Sequence, residues 1–65
     1  MVAIPRTVRE AKRLIANGTD QQTQAVYAAL SRKMRAVSPA LFLALERVQE
    51  TLYSELERRG CFGRA

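Results

Sequence analysis

Three glutamates, Glu46, Glu50 and Glu57, recur at helical spacing near the end of the chain, and a single cysteine, Cys61, follows them. Paired carboxylates can do acid–base work when one is held beside a partner base. Here no base is available. The chain has no histidine, which removes Ser-His-Asp and Cys-His nucleophile systems and zinc sites of the Cys/His type. Its three glycines, Gly18, Gly60 and Gly63, are scattered, so no phosphate-cradling loop can form. Cys61 sits next to a glycine stop and is expected to be exposed. It can oxidise only between chains, and nothing nearby marks it as a nucleophile. No catalytic residue, metal ligand or cofactor is expected, and the glutamates read as a solvated helix edge.

A second candidate chemistry is base reading by glutamine. The stretch "NGTDQQTQAVYAAL", Asn17 to Leu30, places Gln21, Gln22 and Gln24 just after a glycine turn. Side-chain amides can pair twice with adenine edges when the second helix of a helix-turn-helix enters the major groove. Two features oppose that reading. The helix after the turn runs some 17 residues, longer than a typical recognition helix. Six residues past Gly18 stands Gln24, where the motif buries a branched aliphatic. A polar first turn with good caps is the simpler account.

Phosphate contact is the third chemistry. Residues 1–36 carry Arg6, Arg9, Lys12, Arg13, Arg32, Lys33 and Arg35 against only Glu10 and Asp20, whereas residues 37–65 balance four arginines with four glutamates. The net charge of +5 therefore resides in the first half. If the helices bearing these cations are antiparallel neighbours, their outward faces join into one positive wall able to grip a nucleic-acid backbone. No aromatic residue is interleaved with the cations, which argues against stacking on single strands.

The elements that must position these groups are three helices. "TVRE" opens the first, over about 7–17, with the capping-box spacing Thr7–Glu10. Val8, Ala11, Leu14 and Ile15 share its apolar face, and Asn17-Gly18 is expected to end it in a left-handed residue. The second, about 20–37, begins at Thr19 or Asp20. It buries Val26, Tyr27, Leu30, Met34 and Val37, with Thr23 at the edge. The third, about 39–59, starts at "SPA", a serine cap followed by a proline at the first helical position. Gly60 stops it. Residues 1–5 read as an extended arm and 60–65 as a tail in which Phe62 folds back. The chain is thus an all-α, three-helix unit of one domain.

Sixty-five residues support a core worth about 3–5 kcal/mol unless something staples it. No disulfide or zinc can do so, which points to self-association. The third helix offers Leu41, Phe42, Leu45, Val48, Leu52, Tyr53 and Leu56 as an intramolecular core plus a homodimer or partner seam, with Leu43 stranded on the far face. Eleven-residue repeats along that stripe disfavour a long left-handed coiled coil. The longest apolar run, "ALFLAL" at 40–45, is too short to span a bilayer. The N-terminus lacks a signal-peptide core, and a lone cysteine fits a reducing cytoplasm. Membrane-surface binding through the basic first helix ranks third, because its apolar stripe is small. The sequence points to a basic, non-enzymatic regulatory protein that contacts DNA through phosphates. The alternative is an adaptor or inhibitor docking another protein through its helical surface.

Overall fold

Three hydroxyl side chains start three helices. In the computed structural model, which describes residues 4–61, these are α1 (Val8–Asn17), α2 (Asp20–Lys33) and α3 (Pro39–Arg58), with a 3₁₀ turn at Met34–Ala36 after α2. No strand occurs among the described residues. Thr19 caps α2 with a complete reciprocal box: its hydroxyl accepts from the Gln22 N–H at 3.0 Å, and Gln22 Oε1 accepts from the Thr19 N–H at 2.8 Å. The box at α1 is only half made. The Thr7 hydroxyl accepts from the Glu10 N–H, but the Glu10 carboxylate reaches one residue further back, to the Arg6 N–H at 2.8 Å. Ser38 caps α3, with Pro39 in the first turn.

α3 is the spine. α1 and α2 each pack chiefly against it and touch one another only lightly. Ala11, Val26, Leu30, Met34, Leu45, Val48 and Leu52 form the core, Leu56 is fully buried, and Ile4, Leu14, Ile15, Tyr27 and Val37 close around the edges. α2 lies along the Gln49–Tyr53 flank of α3. There Gln49 Nε2 donates to Ser31 Oγ at 2.9 Å, and the Tyr27 and Tyr53 rings meet at 6.0 Å. α1 lies along the other flank, where Val8 and Ile15 border a groove with Arg47, Thr51 and Glu55. Thr23, a buried polar side chain, is satisfied by donating to the Thr19 carbonyl at 3.0 Å.

Several expectations change in the folded chain. The second helix ends at Lys33 rather than residue 37. The following turn tightens to 3₁₀ form and Val37 becomes extended, as does Ser38, which Pro39 drives out of the α region. Gly18 is not left-handed: its backbone is extended, at φ −97° and ψ 170°. Glycine is required there because a Cβ would stand 2.8 Å from the Leu14 carbonyl oxygen and 3.0 Å from Gln22 Oε1. The left-handed glycine is Gly60, at φ +75°. Its N–H bonds the Glu57 carbonyl and the Cys61 N–H bonds that of Leu56, the paired closure that ends a helix at such a residue. Of the expected arm, Ile4 is half-buried on the core and Pro5 is buried. Residues 1–3 and 62–65, including Phe62, lie outside the described residues.

Candidate nucleic-acid interface

All seven cations of the first half, Arg6, Arg9, Lys12, Arg13, Arg32, Lys33 and Arg35, are exposed. Among the described residues, every ion pair involves Arg58 or Arg59 instead. The reason lies in where the first half's two carboxylates go. Glu10 accepts from the Arg6 backbone. Asp20 pairs with Arg59, thirty-nine residues away in sequence. Neither forms an ion pair with a cation of the first half.

Arg59 was not foreseen from the sequence, and it holds three elements together. Its guanidinium contacts Asp20 at the start of α2, donates through Nε to Glu55 of α3 at 2.8 Å, and donates through Nη2 to the Ile15 carbonyl near the end of α1 at 3.2 Å. Opposed charges and hydrogen bonds favour the ionised forms of both partners. Asp20, then Glu55, raise the Arg59 guanidinium above its ordinary value. The hydrogen bond from Arg58, aided by Arg59, pulls the Glu55 carboxyl below its ordinary value against the opposing effect of partial burial. The only sequence signal was an arginine one step before a glycine stop. Nothing local tied it to residue 20.

The cations are carried by two helices that both pack chiefly on α3. Arg6, Arg9, Lys12 and Arg13 belong to the start and body of α1. Arg32, Lys33 and Arg35 close α2, at the end of a helix of about 21 Å that leads away from the α1–α2 corner. Within α1 the cations diverge. Lys12 borders the α1–α3 groove beside Glu50, Glu55, Arg47 and Arg58, whereas Arg13 borders a groove on the other side with Glu10, Asn17 and Gln22.

The glutamines are poorly placed for base reading. Gln22 is engaged in the α2 cap, and Gln24 is exposed where a helix-turn-helix needs a buried aliphatic. The proposed seam also divides. Leu45, Val48, Leu52 and Leu56 are at most 2% exposed within the single chain, so a partner cannot reach them. Leu41, Phe42 and Tyr53 remain exposed, and Leu43 more so, at 63%. The two flanking helices already cover the centre of the α3 stripe. Cys61, expected at the surface, is half-buried. Glu50 and Glu57 edge a shallow groove with Tyr27, Gln49, Tyr53 and Ser54, and no group of three or more acidic or sulfur side chains among the described residues could hold a metal ion. No helix of the described residues is long and apolar enough to cross a membrane. Neither a family model, nor a curated protein, nor a solved structure matches this chain.

Proposed function

We propose that this chain is a small, basic, non-enzymatic regulatory protein that binds nucleic acid through its phosphates. One observation carries the reading: seven exposed cations in the first half have no carboxylate partner among the described residues, because Asp20 is drawn to Arg59 and Glu10 to the backbone. Such charge favours phosphate contact and leaves sequence largely unread.

Titration against random duplex DNA at two salt concentrations tests this. If all seven cations engage, affinity falls roughly a thousandfold or more between 50 and 200 mM salt. Replacing Arg9 and Arg13 together by glutamate should then remove most binding with helicity unchanged. Absence of binding at low salt would sink the reading.

A second reading, docking onto another protein, has its own support in the α2–α3 groove, where Tyr53 is 43% exposed beside Tyr27, Glu50 and Glu57. Aromatic rings with carboxylates at their edge suit a partner's arginine or lysine. That version predicts that Tyr53→Ala weakens capture of a partner and leaves duplex binding alone.

A further inference from the structure

We infer that the exposed start of α3 inserts into the interfacial zone of an anionic lipid surface. Every residue from Ser38 to Ala44 is exposed, yet all but the capping serine are apolar. Leu41 is 43% exposed, Phe42 38% and Leu43 63%. At about 100° per residue these three span roughly 200° of the helix circumference. A helix that is apolar all round belongs in surroundings that are apolar all round. Here the tip keeps large apolar area in solvent, most of all at Leu43.

Charge decides among the possible surroundings. No charged residue occurs between Arg35 and Glu46, and no acidic residue between Asp20 and Glu46. Arg32, Lys33 and Arg35 stand exposed immediately before the tip. A second copy meeting it tip to tip would bring two cationic clusters together with no carboxylate between them. A protein groove covers one side of a helix and would leave either Leu41 or Leu43 wet. The outer layer of an anionic bilayer surrounds an inserted tip on every side and places phosphates where the three cations lie. The depth also agrees. From Pro39 to Leu45 the helix advances about 10 Å before Glu46 stops it, and interfacial segments bury to about 5–10 Å. This is a different element from the basic first helix considered in the sequence analysis, and the inference goes beyond the nucleic-acid reading.

The test is co-sedimentation of the full chain with vesicles of phosphatidylcholine alone and mixed with phosphatidylglycerol. Binding is expected only to the mixed vesicles, weakening with salt. Leu43→Asp should lower it by about tenfold or more, since it places a carboxylate at the most exposed point of the tip. Helicity should be kept, because residue 43 is outside the core, and duplex DNA binding should be unchanged. The inference is overturned if mixed vesicles are not bound at low salt, or if Leu43→Asp binds them as well as the parent chain, which would reduce the effect to surface charge. It is equally overturned if light scattering finds a dimer that Leu43→Asp dissociates and vesicles are ignored, since a second copy then covers the tip. Loss of vesicle binding with duplex binding intact, or the reverse, separates this failure from failure of the nucleic-acid reading.

Discussion

A β-carbon at residue 18 has nowhere to go, whereas one at residue 60 meets nothing within 4 Å. The two glycines therefore fail for different reasons when replaced. At Gly18 the backbone is ordinary, so alanine would stabilise by stiffening the unfolded chain if space allowed. The Leu14 carbonyl at 2.8 Å reverses that sign, and Gly18→Ala should lower unfolding free energy in urea by about 1–3 kcal/mol. Gly60→Ala should cost about 1 kcal/mol through its left-handed backbone alone, with Gly60→Asn recovering part. A neutral or stabilising Gly18→Ala would show that the corner opens freely. Glu55 gives a prediction in pH. Its folded-state carboxyl lies below its ordinary value of 4.5, so its contribution is fully present above that value and is lost as pH falls through the folded one. Glu55→Gln should flatten the acid limb of a stability–pH curve below about pH 4.5 and leave the neutral region's slope unchanged. An unaltered acid limb would deny the Arg58–Glu55–Arg59 cluster any role in folding. Both glycines were legible as punctuation. Which one required left-handed backbone was not, because that depends on where the next helix turns.

At the scale of elements, local signals carried furthest. Hydroxyl caps act on the first turn of their own helix, so Thr7, Thr19 and Ser38 could be read from spacing alone, and they start the helices at the residues expected. Thr19 should matter most. It makes the reciprocal box with Gln22, and its carbonyl also accepts from both the N–H and the hydroxyl of buried Thr23. Thr19→Ala is expected to destabilise by about 1 kcal/mol and by more than Thr7→Ala, whose box is half made. Equal costs in paired denaturation curves would contradict this ranking. The end of α2 was less legible. Met34 must enter the core while Ser38 is extended ahead of Pro39, and the tight 3₁₀ turn reconciles these demands.

Over the whole molecule, the consequential arrangement is that α3 stands between α1 and α2. One apolar stripe on a 20-residue helix receives two partners. Burying its centre inside the chain withdraws Leu45, Val48, Leu52 and Leu56 from any outside partner and leaves the apolar tip at one end. Charge divides similarly. Arg59 draws Asp20 to the opposite end of α3 from that tip; the polyanion and lipid readings share Arg32, Lys33 and Arg35, but the first adds the cations of α1 and the second the apolar tip. Reversing Arg9 and Arg13 should therefore lower the salt dependence of duplex binding while leaving vesicle association largely in place.

Three capped helices, the identity of most core residues and a first half rich in positive charge were legible in the order of residues alone. Each of these depends on neighbours within a turn or on a periodicity along one element. Tertiary structure decided what lies beyond that range: which helix occupies the centre, which leucines of its stripe are covered, and which carboxylate Arg59 reaches. The physical reason is that a helix's apolar face says how much must be buried but not by which partner, and a charge pair thirty-nine residues apart exists only once the packing has brought its ends together.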